Sequence, residues 1–356
     1  MNHGEPAGPR PRPPGLPTAA RRRAVSVDPA GLVSSGPFAD GQPAPSVLRP
    51  RAPLDLAEWI KVSRDQVERL LLAHGAVLLR GFGVSSADQF ERVARAFTDD
   101  LLNYVEGSSP RTMLTEKVYT STEYPPEFPI SMHNELSYAH KWPGKLFFFC
   151  ASPPESGGET PIADGRRLLE RLPGPVAERF CRLGVRYVRT MHAGHGPGLS
   201  WPTVFETADR DAVEEYCKAG GIEFTWLDGG WLRTSQVRPA AIRHPGTGER
   251  VWFNQADQWH PSNLGAELDQ AITATAGGAE LPLNAEYGDG TPIDPADLAA
   301  VRAAAADAAV AFPWEAGDVL VIDNTMTLHG RHPFTGSRRV LVSMGAPVYL
   351  DQVEQA

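Results

Sequence analysis

Cysteine is scarce, with three residues in a chain of 356: Cys150, Cys181 and Cys217. No two form a C-x-x-C pair, and their odd number argues against a disulfide framework or a zinc ribbon. The pattern fits a reducing, cytoplasmic compartment, with each thiol serving as a small buried apolar group. Positive charge is also in deficit. Lys and Arg number 34 against 43 Asp and Glu, for a net charge of -9. That balance excludes a nucleic-acid backbone as the main partner, because phosphate neutralisation requires a basic surface. No apolar run approaches the roughly 20 residues of a membrane helix. What remains is a chain of ordinary apolar content, 42%, long enough to bury a full core.

Proline and glycine are plentiful but unevenly spread. The first 45 residues carry Pro9-Arg10-Pro11-Arg12-Pro13-Pro14, the triplet Arg21-Arg22-Arg23 and a Gly/Ser/Pro-rich stretch to Pro45. Such a segment cannot bury enough apolar surface to offset chain entropy, so residues 1–45 read as a disordered leader. It has no apolar h-region and is not a secretory signal. Residues 46–356 read as one domain.

Helix and strand patterns mix within that domain, giving an α+β, mainly β, expectation. Leu56, Trp59, Ile60, Val67, Leu70 and Leu71 recur at near-helical spacing, and Gly75 can end the helix. Residues 76–82 read as a buried strand, and Ser86 is a fair N-cap for a helix over 87–97. The apolar run 145–150 predicts a strand. Residues 165–184 read as helical, broken by Pro173 and Pro175, and 212–220 as a further helix. Strands follow across 223–255, with Gly229-Gly230 and Gly246-Thr247-Gly248 as hairpin turns. Helical patterns return at 266–276 and 295–311, and strands at 319–322 and 340–344.

The chemistry begins with Ile130-Ser131-Met132-His133-Asn134-Glu135. On an extended strand, residues i and i+2 share a face, so His133 and Glu135 can aim a nitrogen and an oxygen at one point. That donor mix suits ferrous iron, and one further His completes a two-His, one-carboxylate face with open coordination positions. Taken alone, the pair reads first as a strand-end imidazole beside a solvated carboxylate. A second anchor lies far along the chain, where Asp323-Asn324 leads to His329-Gly330-Arg331. Gly330 permits close backbone approach beside His329. By itself His329 reads as a satisfied core imidazole, and the doublet Arg338-Arg339 as solvated charge. Between the anchors, Gly157-Gly158-Glu159-Thr160 is a turn followed by a hydroxyl.

Together these elements resemble the taurine dioxygenase-like branch of the iron(II)/2-oxoglutarate oxygenases, over residues 53–347 or so. Residues 118–138, Trp142-Pro143-Gly144, residues 201–217 and Phe253-Asn254-Gln255 look closest to the syringomycin-pathway hydroxylase-like subgroup of secondary metabolism. The resemblance implies a double-stranded β-helix, or jelly-roll, core with helices packed outside. It implies that His133, Glu135 and His329 form the catalytic centre and bind Fe(II). 2-Oxoglutarate is then expected at two of the remaining positions and O2 at the third. Thr160 falls where the family places a hydroxyl on the 2-oxoglutarate carboxylate. Arg338 or Arg339 is expected to grip the distal carboxylate with a fork that Lys cannot copy. Strand alternation admits only one of the doublet, and the subgroup pattern favours Arg338.

The implied reaction converts 2-oxoglutarate to succinate and CO2 while hydroxylating an unactivated C–H. The substrate is a small molecule: an amino acid, free or bound to a carrier protein, or a natural-product intermediate. Desaturation or cyclisation by the same centre, or a cupin-like metal enzyme that does not use 2-oxoglutarate, are the alternatives. Glu135 fills the position that halogenating relatives leave to chloride, so halogenation is not expected. Tyr119, Ser121, Asn254 and Gln255 are candidates for the substrate side. The sequence does not fix the oligomeric state.

Overall fold

The longest strand, Lys141–Ser152, separates two cores. Successive side chains point to opposite faces. Leu146, Phe148 and Cys150 join an apolar cluster with Ile162, Leu328, Val340 and Val342. Phe147 and Phe149 point the other way, into a cluster with Phe90, Phe97 and Leu71. A strand apolar on both faces needs cover on both. The neighbouring strand Val319–Asp323 repeats the division, with Leu320 and Ile322 on the first side and Val319 and Val321 on the second.

The computed structural model describes residues 1, 29–39, 41, 44–264 and 281–356. The helical pattern at 266–276 and most of the leader lie outside the described residues. Seven strands form the main sheet, in the order Val33–Pro37, Ser46–Pro50, Ala76–Leu79, Val319–Asp323, Lys141–Ser152, Arg339–Tyr349 and Tyr119–Thr120. All pairs are antiparallel except Ser46–Pro50 with Ala76–Leu79. Helices Leu56–His74 and Ala87–Phe97 cover the outer face. Asp55 and Ser86 cap their first turns by accepting from Glu58 N and Gln89 N, and Gly75 ends the first helix at φ 73°. The Phe90 and Phe149 rings stack at 5.5 Å, and Phe97 meets Phe147 at 5.4 Å. Each such ring contributes about 1.5–3 kcal/mol by burial alone.

The inner face meets a four-stranded sheet in the order Ala309–Val310, Ile162–Asp164, Thr327–Arg331 and Ile130–His133. Phe148 reaches across to His329, with ring centroids 5.2 Å apart. A further four-stranded sheet, Glu223–Trp226, Leu232–Arg238, Val185–Met191 and Leu283–Tyr287, lies beside these two. Among the described residues, no helix is long and apolar enough to cross a membrane.

Two boundaries differ from expectation. Ordered structure starts before residue 46, because Val33–Pro37 pairs residue for residue with Ser46–Pro50. Its Val-Ser-Ser-Gly-Pro composition hides the strand, since Val33 alone adds a side chain to the apolar core and backbone pairing carries the rest. The last helix stops at Ala308, and Ala309–Val310 becomes an edge strand on Ile162–Asp164. The expected break comes at Pro173, while Pro175 sits in the first turn of the second helix, Gly174–Leu183, and does not interrupt it; the glycine hairpins at 229–230 and 246–248 are present.

Candidate metal centre

His133 is the last residue of its strand, and it lies opposite His329 in the antiparallel register. The register slips between His329 and Arg331. Gly330 permits that crowding, because a Cβ there would stand 2.7 Å from the Ile130 carbonyl oxygen. The two imidazole centroids come to 4.3 Å.

Glu135 reaches the same point by a different route from the one its spacing suggested. The strand ends at His133, so i, i+2 alternation does not deliver the carboxylate; the following turn does. Asn324, just after the strand Val319–Asp323, holds that turn. Its Oδ1 accepts from Glu135 N at 2.8 Å, and its Nδ2 donates to Glu135 O at 3.0 Å and Pro143 O at 2.8 Å. Asn134 Nδ2 donates to Asn324 O at 2.7 Å. Leu136 takes the left-handed conformation, φ 56°, to complete the turn.

One donor atom from each of His133, Glu135 and His329 lies within 4.8 Å of the other two. All three residues are buried. Nδ1–H of His133 donates to the Ser131 carbonyl at 2.8 Å, which fixes the tautomer and leaves the Nε2 lone pair free, 4.0 Å from Glu135 Oε2. Burial holds the His133 imidazole below its ordinary range. Burial, with His133 and Arg111 adding to it, holds His329 well below. Both rings are therefore neutral near pH 7, the state a metal requires. Nδ1 of His329 is buried with no hydrogen-bond partner among the described residues. Two neutral imidazoles and one carboxylate, converging in a buried site, fit a ferrous ion with open positions.

Arg111 stands behind the carboxylate. Its Nη2 donates to Glu135 Oε2 at 2.6 Å, and its guanidinium lies 4.0 Å from the Tyr104 ring centroid. Burial opposes the charge most strongly, but the Glu135 carboxylate, with Tyr104 and Tyr138 adding to it, holds the guanidinium above its usual range. Sequence reasoning missed Arg111 because the irregular stretch around it has no periodicity.

A cavity runs from His133 and His329, past Phe148 and Thr160, to Arg338. Arg338 Nε donates to Gly158 O at 2.8 Å, Nη1 to Ser121 Oγ at 3.4 Å and Nη2 to Thr160 Oγ1 at 3.3 Å. Burial, with Arg331 nearby, lowers its pKa to about 10, so it stays charged at neutral pH. Arg339 is exposed at the start of the next strand. A second, larger cavity opens on the other side of His133 and Glu135, beside Tyr104, Ser109, Gln258 and Trp259.

The substrate-side candidates are redistributed. Ser121 lies with Arg338 and Thr160. Tyr119, Asn254 and Gln255 line neither cavity. Tyr119 packs into the core. Asn254 donates to Ala240 O at 2.8 Å and accepts from Ala256 N at 3.0 Å. Gln255 accepts from Ser137 N at 3.3 Å. These amides satisfy buried backbone groups that would otherwise lack partners, which is why a polar motif sits there.

The family model for taurine catabolism dioxygenases, TauD/TfdA, matches residues 40–344. The chain belongs to that family. It is a non-haem iron dioxygenase that uses Fe(II), 2-oxoglutarate and O2. This dioxygenase is 39% identical over 287 residues to the dapdiamide synthesis protein DdaC of Enterobacter agglomerans, covering 81% of this chain and 87% of that one. It is 36% identical over 314 residues to a clavaminate synthase-like protein of Arabidopsis thaliana, covering 85% and 91%. PvcB of Pseudomonas aeruginosa has a similar fold, with a TM-score of 0.53 at 17% identity over 94% of this chain and 96% of that one.

Proposed function

We propose that His133, Glu135 and His329 hold Fe(II) on one face, and that Thr160 and Arg338 hold 2-oxoglutarate beside it, for oxidation of an unactivated C–H in a small molecule of secondary metabolism. Hydroxylation is the primary outcome. The substrate is an amino acid, free or carrier-bound, or a natural-product intermediate, and the enzyme acts in the cytoplasm. The observation carrying this reading is the convergence of three donor atoms within 4.8 Å at one end of a cavity whose other end is Arg338. The likeness to DdaC, a dapdiamide synthesis protein, supports the metabolic setting. Two facing sheets joined through one apolar cluster support a double-stranded β-helix core.

When bound, iron and 2-oxoglutarate supply oxidative decarboxylation of the co-substrate, to succinate and CO2, coupled to substrate oxidation. The chain's own residues prepare that chemistry. Burial keeps both imidazoles unprotonated. Arg111 and Asn324 hold Glu135 by side chain and backbone respectively. Arg338 offers a fork to a carboxylate, and the Thr160 hydroxyl adds a donor. Phe148 and Val342 line the cavity with apolar surface that excludes water.

The test is anaerobic addition of Fe(II) and 2-oxoglutarate to the purified protein. A weak visible metal-to-ligand charge-transfer band is expected, followed on aeration by succinate, and, when a candidate amino-acid substrate is also supplied, by a product of that substrate carrying one added oxygen. A product lacking two hydrogens would redirect the reading to desaturation or cyclisation. Absence of both band and succinate would leave the cupin-like alternative.

A further inference from the structure

Arg111 lies where the two cavities meet, since it lines both. Its side chain is 5% exposed. Only Nη2 is bonded, to Glu135; Nε and Nη1 are buried with no partner among the described residues. A buried guanidinium with two idle donors is costly, because each N–H has lost water and gained nothing. Buried donors of this kind call for a partner that arrives. Nε–H and the Nη1 N–H groups leave the guanidinium in different directions, so each offers an incoming carboxylate oxygen a charge-assisted hydrogen bond of its own.

Two carboxylates have access to those donors. One is the C1 carboxylate of 2-oxoglutarate, from the smaller cavity; the other belongs to whatever fills the larger one. The smaller cavity already holds two further guanidinium groups, Arg331 and Arg338. Arg111 is the only Lys or Arg among the described residues lining the larger cavity, whose other polar groups are mainly hydroxyls and amides such as Ser109, Thr122, Gln258 and Asn263. We infer that the primary substrate carries a carboxylate and that Arg111 is its anchor. This rests on the iron and 2-oxoglutarate reading above. The substrate then enters with its anionic end at Arg111 and its neutral polar portion toward Gln258 and Asn263. The guanidinium ties substrate position to the iron centre, because its remaining donor stays on Glu135.

The experiment uses the Fe(II)- and 2-oxoglutarate-loaded full chain under anaerobic conditions. The probes are the free L-amino acids, each paired with its C-terminal carboxamide, read by perturbation of the charge-transfer band. In the wild type, at least one carboxylate should bind about 10- to 100-fold more tightly than its amide, the range expected for hydrogen bonds to a charged group. In Arg111→Lys, which keeps a cation beside Glu135 but loses the directed Nε and Nη1 donors, the ratio should fall toward one. Tyr104→Leu, which removes the ring under the guanidinium, should lower the ratio part-way. The ratio within one variant does not depend on how much of it folds or loads iron. A 2-oxoglutarate affinity that drops in Arg111→Lys while the amino-acid ratio persists would assign the donors to the C1 carboxylate and overturn the substrate anchor. So would wild-type silence across every carboxylate while the band itself is present. A missing wild-type band is a failure of the iron and 2-oxoglutarate reading instead.

Discussion

Asn324 grips the backbone of Glu135 from both sides, accepting from its N–H at 2.8 Å and donating to its C=O at 3.0 Å across 189 positions of sequence. The same amide donates to Pro143 O, so one buried side chain ties three segments together. Asn324→Ala leaves those backbone groups unpaired and should cost on the order of 3 kcal/mol. Urea unfolding of the metal-free protein measures this, and an unchanged midpoint would mean that the turn holds without its clamp. Iron affinity should fall in the same variant by about 10- to 100-fold, because a loosened support misplaces its ligand.

Replacing a donor removes the centre itself. His329→Ala or Glu135→Ala should abolish the anaerobic charge-transfer band and equilibrium iron binding. A band surviving in His329→Ala would displace that imidazole from the ligand set.

The arginine doublet gives a contrast between adjacent residues. Arg338→Lys should raise the KM for 2-oxoglutarate about 10- to 100-fold, since a point charge replaces a fork. Arg339→Ala, at an exposed position, should leave it within about twofold. Steady-state succinate release decides between them, and a reversed order would move the anchor to Arg339.

Acid should weaken the metal-free protein. The folded pKa values of His133 and His329 lie below 6.5, so as pH falls through that value the unfolded chain takes up protons that the native state refuses. Stability is thus fully present above about pH 7 and declines with acidity toward the lower native pKa values. Melting temperatures at pH 7.5 and 5.5 test the sign. The double variant His133→Gln, His329→Gln should show a smaller difference between the two, and an equal difference would assign the effect elsewhere.

The first strands carry a boundary prediction. Val47 and Leu48 are 1% and 0% exposed, and their strand pairs with Ala76–Leu79. A chain starting at residue 51 should lose about 1.5–3 kcal/mol for each of these side chains, while one starting at residue 29 should keep wild-type stability. Thermal melts of the two truncations decide this.

The sequence alone determined the element types wherever burial imposes a period, as in the two-faced strand around Phe147 and Phe148 and the capped helix Ala87–Phe97. It also singled out His133, Glu135 and His329, though only through the resemblance to a family, since each alone reads as an ordinary residue; the structure brings their donor atoms within 4.8 Å of one another. Tertiary structure decided everything that depends on distant segments meeting. The turn beyond His133, rather than strand alternation, brings Glu135 to the imidazoles, and Asn324 fixes that turn through contacts no local pattern encodes. Register sends Arg338 inward and leaves Arg339 in solvent. Burial, a property of the assembled chain, set the charge states of the two imidazoles and left two donors of Arg111 unpaired between the cavities.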